Sequence, residues 1–107
     1  MSENPTAGLD DTVHQRHRLG VLTIAAETKR VEFSYLKSAL ELTAGNLSRH
    51  ITVLEQAGLV EVEKGYEGKR PKTWLHITGA GRAALAAEMA ALRALLERHD
   101  SRQNCLR

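Results

Sequence analysis

The chain has 107 residues and a hydrophobic content of 42%, which suits one small domain with a modest core. Aromatic residues make up only 4%, so the core has to be aliphatic, and a formal net charge of +2 does not by itself indicate a polyanionic partner. A single cysteine, Cys105, excludes a disulfide framework within the chain, and no apolar run approaches the ~18 residues of a membrane span. Because the N-terminus also lacks the apolar core of a signal peptide, we predict a cytoplasmic protein with no membrane partner.

The first part of the chain predicts two helices. Asp10 or Asp11 can cap the first of them, and Gly20 inside it indicates a close crossing by another helix, because glycine lowers helix propensity. Ser34 is the predicted cap of the second helix. In chain order, the predicted elements are a disordered lead-in over 1–9, a helix over 11–27, an extended segment over 29–33 and a helix over 35–40.

The segment from Thr43 to Gly58 is the most informative part of the sequence. Thr43 is a helix-capping residue type, Gly58 is a helix-ending one, and between them Leu47, Ile51 and Leu54 recur on one face. At about 100° per residue, the opposite face is small, polar and cationic, consisting of Gly45, Arg49, Thr52 and Gln56, with Asn46, Ser48 and His50 at its flanks. A helix of this kind, following a short turn from the preceding helix, is typical of a helix-turn-helix that reads a DNA major groove.

A hairpin with a basic tip is predicted directly after this helix. Strands over 59–64 and 73–77 flank a turn-rich loop over 65–72. The cations Lys64, Lys69, Arg70 and Lys72 lie around the loop, with only Glu67 among them. Local charge of this density favours contact with DNA phosphates or the minor groove.

The last predicted helix begins after Thr78 and runs to about Arg98, and residues 100–107 are predicted to be a frayed tail. Leu85, Met89, Leu92 and Leu96 follow a 4-3-4 spacing, which places them along one apolar seam. Since monomers rarely leave such a seam exposed, we predict that it pairs two subunits.

The chain resembles winged-helix transcriptional regulators of the MarR/ArsR-like kind over roughly residues 10–98. The resemblance lies in the segments 45–50 and 54–60 and in Leu75-His76-Ile77-Thr78-Gly79-Ala80-Gly81-Arg82, which is similar to the L-x-L-T-x-x-G-R that leads into the final helix of such proteins. It implies an α+β fold, mainly helical with a small β-hairpin: a winged helix over 10–78 and a dimerisation helix over 79–99. It also implies a homodimeric regulator that places helix 43–57 in the major groove and wing 64–72 on the adjacent backbone or minor groove.

These patterns define a set of candidate contacts to double-stranded DNA. They are Thr43, Asn46, Ser48, Arg49, His50, Thr52, Lys64, Lys69, Arg70 and Lys72. His14 and His17 share a helical face, but the Cys-x-Cys and Asp-x-His patterns of metal sensors are missing from the sequence, and it holds no catalytic motif. We therefore predict no enzyme activity, cofactor or metal.

Two other functions are compatible with the same fold. One is a winged-helix module that binds other proteins and has lost DNA binding, against which Arg49 and the wing cations argue. The other is a ligand-responsive switch of the MarR type, with a small-molecule effector bound between the dimer stalk and the DNA-binding lobe. Nothing in this aromatic-poor chain supports a large effector pocket.

Overall fold

A computed structural model describes residues 4–105, which form four helices and a three-stranded antiparallel sheet. The elements are α1 (Arg16–Ala26), β1 (Val31–Glu32), α2 (Phe33–Ala39), α3 (Ala44–Gln56), β2 (Val60–Glu67), β3 (Arg70–Ile77) and α4 (Gly79–Cys105). This is the predicted α+β architecture. The extended segment before α2 pairs as the short edge strand β1, so that the sheet order is β1-β3-β2.

Helices α2 and α3 form the helix-turn-helix, with the turn at residues 40–43. Glu41 adopts a left-handed backbone conformation with φ of 55°, and Leu42 N–H donates to the carbonyl of Lys37 at 3.0 Å. Thr43 then caps α3 as predicted, because its hydroxyl accepts from Asn46 N–H at 3.1 Å. At the other end, Gly58 has φ of 76°, a conformation that glycine adopts without a steric penalty.

The hairpin strands are longer than the sequence predicted. Strands β2 and β3 pair without a break from Val60–Ile77 to Glu67–Arg70, which leaves a turn at Gly68 and Lys69 with Gly68 at φ of 64°. The predicted loop over 65–72 was therefore wrong. Gly65 and Pro71 look like loop residues in the sequence. In the structure Gly65 lies opposite Lys72, and Pro71 lies opposite Tyr66, near the exposed end of the ladder, where a strand tolerates both residue types.

The core lies between α1, α2, α3 and the base of the sheet, and it is aliphatic as predicted. The buried side chains are Val13, Val21, Leu22, Ala25, Val31, Leu36, Leu47, Ile51, Leu54, Leu59, Val60, Leu75 and Ile77. The predicted crossing of another helix at Gly20 is instead a contact with one side chain, because a Cβ there would lie 2.7 Å from Cδ2 of Leu40, the residue that follows α2. The whole apolar stripe of α3 is thus used inside its own chain.

A second close approach joins α4 to the base of the hairpin. A Cβ on Gly81 would lie 2.1 Å from the carbonyl oxygen of Leu59, so this position requires glycine. Thr78 accepts from Gly81 N–H at 2.9 Å and donates to the carbonyl of Gly58 at 2.7 Å. The Thr-x-x-Gly motif before α4 therefore fixes that helix against the end of α3.

Both ends of the described chain are more ordered than predicted. Residues 4–9 form turns, with Leu9 N–H donating to the carbonyl of Thr6 at 3.0 Å, and α4 continues past Arg98 to Cys105. Arg102 and Gln103 are good helix formers, but most residues of this stretch are weak ones, which is why local propensity predicted a frayed tail where the structure has helix. Residues 1–3 of the predicted lead-in and 106–107 of the predicted tail lie outside the described residues.

The N-terminal segment is attached to α4 by a buried carboxylate. Glu88 is only 1% exposed, and it accepts from Nδ1 of His14 and, at 3.4 Å, from the backbone N–H of Asp10. Helix α1 consequently starts at Arg16, where Gln15 caps it by accepting from two backbone N–H groups, and not at Asp10 or Asp11. Helix α2 likewise starts at Phe33, without the predicted Ser34 cap.

Candidate nucleic-acid interface

The outer face of α3 has the composition that the sequence predicted. Asn46, Ser48, Arg49 and Thr52 are all exposed, and Arg49 lies opposite the buried Leu47 and Leu54. Thr43 is also exposed, although its hydroxyl is used for the helix cap. A small, polar surface centred on an arginine can approach base edges and phosphates closely.

An open groove separates α3 from the hairpin. Its volume is about 670 Å³, and it is lined by Phe33, Ala44, Ser48, Ile51, Thr52, Glu55, Val62, Lys64, Thr73, Trp74 and Leu75. Apolar side chains of the core form part of this lining, whereas Ser48, Thr52 and Lys64 add polar groups from both sides. The groove therefore joins the exposed face of α3 and the inner face of the hairpin into one continuous surface.

The hairpin has two chemically different faces because side chains alternate along a strand. On the inner face, the buried Val60 and half-buried Val62 lead outward to Lys64 and then to Tyr66, whose side chain is 71% exposed near the turn. On the outer face, ion pairs join Glu63 to Arg30 and Glu61 to His76. The guanidinium of Arg30 also stacks over the ring of Trp74, 4.2 Å from its centroid.

The structure places Lys72 on the outer face, away from α3. Its Nζ lies 2.9 Å from Oε1 of Glu32 and 3.2 Å from Oε1 of Glu67, and its side chain is only 22% exposed. The hydrogen bond that Lys72 donates to Glu32 raises the pKa of Lys72, and the same bond lowers the pKa of Glu32. Two carboxylates already neutralise this cation, so the structure does not support its predicted DNA contact.

The other three predicted cations of the hairpin, Lys64, Lys69 and Arg70, are exposed, as a DNA contact requires.

His50 is also displaced from the exposed face of α3. It is half-buried against α1, where Nη1 of Arg18 lies 3.3 Å from its Nδ1 and its ring centroid lies 5.3 Å from that of His17. Arg18 is held in turn by the carbonyl oxygens of Thr12, at 2.6 Å, and Asp11, at 3.2 Å. The sequence thus placed His50 correctly at the flank of the helix, but its neighbours from α1 could not be read from local spacing.

The four predicted seam residues of α4 have different surroundings. Leu85 is half-buried and packs against the core of its own chain. Met89 and Leu96 are 38% and 61% exposed, and Leu92 is half-buried. The part of the predicted seam that does not pack on its own core therefore begins at Met89.

Tyr66 is an exposed residue beside the candidate interface that the sequence analysis did not name. It lies between two glycines, and the pattern there predicted a loop. Extending the strand alternation from Val60 through Val62 and Lys64 would have placed it on the inner face.

Among the described residues, no three His, Cys, Asp or Glu side chains are grouped so as to hold a metal ion. None of the helices within 4–105 has the length and apolarity needed to cross a bilayer.

Comparison with known proteins identifies this architecture. Residues 17–96 match the family described as winged helix DNA-binding domain, and the chain belongs to that family. An uncharacterized protein of Methanocaldococcus jannaschii is 42% identical over 67 residues, which are 63% of this chain and 73% of that protein.

Solved structures show the same fold. A transcriptional regulator homologue from Pyrococcus horikoshii OT3 is 32% identical and superposes with a TM-score of 0.77, covering 83% of this chain and 88% of its own. A protein of Enterococcus faecalis V583, described as a MarR-family regulator, is 21% identical with a TM-score of 0.69, covering 87% and 83%. At that identity the second likeness concerns the fold alone.

Proposed function

We propose that the protein is a sequence-specific DNA-binding transcriptional regulator. In this proposal α3 enters a major groove and the inner face of the hairpin contacts the adjacent backbone. The observation that supports this proposal most directly is the continuous exposed surface that runs from Arg49 and Thr52, across the groove, to Lys64 and Tyr66. The membership in a DNA-binding family and the regulator homologue from Pyrococcus horikoshii support the same function.

The dimensions of this surface fit a DNA duplex. An α-helix is about 10–12 Å across, and a major groove is ≈ 12 Å wide, so a helix in the groove brings both of its flanks close to phosphates. Lys64 lies beside one flank of α3, across the groove from Ser48 and Thr52. Arg49 lies on the side that faces the floor of the major groove, where a bidentate contact to guanine is the commonest specific contact of an arginine.

Selection of a bound sequence from random duplexes, followed by an Arg49→Ala variant, tests this proposal. If Arg49 makes a bidentate base contact, the variant loses about 1–3 kcal/mol of specific binding free energy and relaxes specificity at one position of the site. The matched control is Arg93→Ala, which removes the same charge from the exposed surface of α4. If no sequence is enriched, or if both variants bind like the wild type, the proposed role of α3 is wrong.

We further propose that two chains pair through α4. Met89, Leu92 and Leu96 lie along one side of the helix, and Leu96 is 61% exposed although leucine gains about 1.5–3 kcal/mol from full burial. Pairing would set two copies of α3 on one duplex, and half-sites about one helical turn apart would make a short recognition element selective. A cytoplasmic location stays a prediction.

Leu96→Glu tests the pairing, because it places like charges at the apolar stripe without touching the core. We expect its mass in sedimentation equilibrium to be that of a single chain, with an unchanged circular dichroism spectrum. Ala94→Glu is the control, since position 94 is exposed and lies about 200° around the helix from Leu96. A wild-type monomer, or equal dissociation of both variants, would contradict pairing through this stripe.

A further inference from the structure

The flank of α3 opposite the hairpin carries a cluster of basic side chains, of which only Arg49 has a role in the functions above. His17 and Arg18 come from the first turn of α1, and Arg49 and His50 come from the middle of α3. The rings of His17 and His50 are tilted by 44° with their centroids 5.3 Å apart, and Arg18 bonds to His50 at 3.3 Å. Arg16, exposed, precedes the cluster in the chain.

The hydrogen bond between Arg18 and His50 fixes the protonation state of the histidine. A guanidinium has only donors, so Nδ1 of His50 has to accept, and an imidazole with an accepting nitrogen is neutral. Arg18 cannot turn away easily, because its other nitrogens donate to the carbonyl oxygens of Thr12 and Asp11. Protonating His50 would therefore exchange a hydrogen bond for a contact between two cations.

The charges that act on His50 all have the same sign. Burial lowers the pKa of His50, and so do the neighbouring charges of Arg18 and His17 on α1 and of Arg49 on α3. From the turn before α1, Asp11 and Thr12 reach the cluster through the main-chain carbonyl oxygens that bind Arg18. Such a cluster is stabilised by an anion, and a nearby negative charge favours the protonated form of a histidine.

We infer that His17, Arg18 and His50 form a phosphate-binding site for the second DNA backbone, and that DNA binding at this site is coupled to protonation of His50. The inference rests on the proposed function, because the anion is a backbone phosphate beside the flank of α3 that faces away from the hairpin. Two flanks of one helix would then hold the two strands: Lys64 beside one and the histidine cluster beside the other.

The direction of the pH effect follows from linkage. The free protein holds His50 neutral near pH 7, whereas a bound phosphate raises the pKa of His50. DNA affinity then increases as the pH falls through the pKa of the bound state, and it levels off below the pKa of the free state. Each proton taken up changes affinity by at most tenfold per pH unit, so we expect about tenfold tighter binding at pH 6 than at pH 8.

The experiment measures binding of a fluorescein-labelled duplex of about 30 base pairs between pH 6 and pH 8 at constant ionic strength, since phosphate contacts need no particular sequence. The test variant is His17→Gln/His50→Gln, whose amides remain polar and can still accept from Arg18. The control is His76→Gln, since His76 pairs with Glu61 on the outer face of the sheet. Calorimetry in two buffers of different ionisation enthalpy counts the protons that are taken up on binding.

The expected result is proton uptake and a pH-dependent affinity in the wild type and in His76→Gln, with both reduced in the double variant at an unchanged circular dichroism spectrum. A double variant that keeps the full pH dependence, or a wild type that binds without proton uptake, would overturn the inference while leaving the proposed function intact. A wild type that does not bind the duplex at any pH would overturn both.

Discussion

The two faces of the hairpin are built from the same two strands, yet they differ in how their charges are used. On the outer face, Lys72, Arg30 and His76 each form an ion pair with a glutamate. On the inner face, Lys64 lines the groove beside α3, and Tyr66 beyond it is largely exposed. The basic residues around the hairpin are therefore not one patch. Alternation along β2 and β3 places Lys72 and His76, with their glutamate partners, on the outer face, and Lys64 on the face that borders the groove.

This difference matters because a count of charges alone does not separate paired cations from unpaired ones. A cation with two carboxylates within 3.2 Å adds little to the attraction of a phosphate, because its field is already compensated. The outer pairs instead connect residues of neighbouring segments of the sheet. Gly65 contributes to this face by its missing side chain, since a Cβ there would lie 3.0 Å from Cζ3 of Trp74.

The larger of two expected effects is on DNA binding, and it is tested by replacing one lysine on each face. Lys64→Ala should weaken binding to all duplexes and reduce the slope of log affinity against log salt by about 0.9, the value for one lost phosphate contact. Lys72→Ala should leave the slope at the wild-type value. Fluorescence anisotropy over a range of salt concentrations measures both. Equal slopes in the two variants would show that the division between the faces has no bearing on DNA binding.

The smaller expected effect is on the stability of the fold, and it is tested by removing the carboxylate of Glu32. The hydrogen bond from Lys72 lowers the pKa of Glu32, with a further contribution from Ser34, so the carboxylate stabilises the fold above its unfolded pKa. That contribution is lost as the pH falls through the folded pKa. Glu32→Gln should therefore lower the Tm slightly at pH 7 and have a smaller effect near pH 3.

Glu27→Gln is the control for this variant, because Glu27 is exposed at the end of α1. Thermal melts of both variants at the two pH values distinguish the outcomes. A Tm difference for Glu32→Gln that persists in full at low pH would mean that the pairing with Lys72 is not its cause.

Short-range periodicity was sufficient to predict α3 and its role in the core. Leu47, Ile51 and Leu54 repeat at helical spacing, Thr43 and Gly58 bound the helix, and the structure has it within a residue of those limits. The hairpin was harder because Gly65 and Pro71 resemble turn residues. Once its strands were predicted too short, the alternation that assigns Lys64 and Tyr66 to one face and Lys72 to the other could not be applied.

Contacts between segments that are far apart in the chain could not be predicted from the sequence. Nothing in local spacing pairs Arg18 with His50 or His14 with Glu88, because these contacts depend on how α1 packs on α3 and α4. Lys72 is similar, since its partner Glu32 belongs to a two-residue strand that was predicted only as an extended segment. Tertiary packing decided which of the predicted cations remain exposed.

The most direct test of the proposed interface is an amide NMR titration of the isotope-labelled protein with its selected duplex. The proposal predicts the largest shift changes at Arg49, Thr52, Lys64 and Tyr66, and small ones at Glu61, Lys72 and His76 on the outer face. The opposite distribution, or shifts confined to α4, would contradict the assignment of α3 and the inner face of the hairpin to DNA.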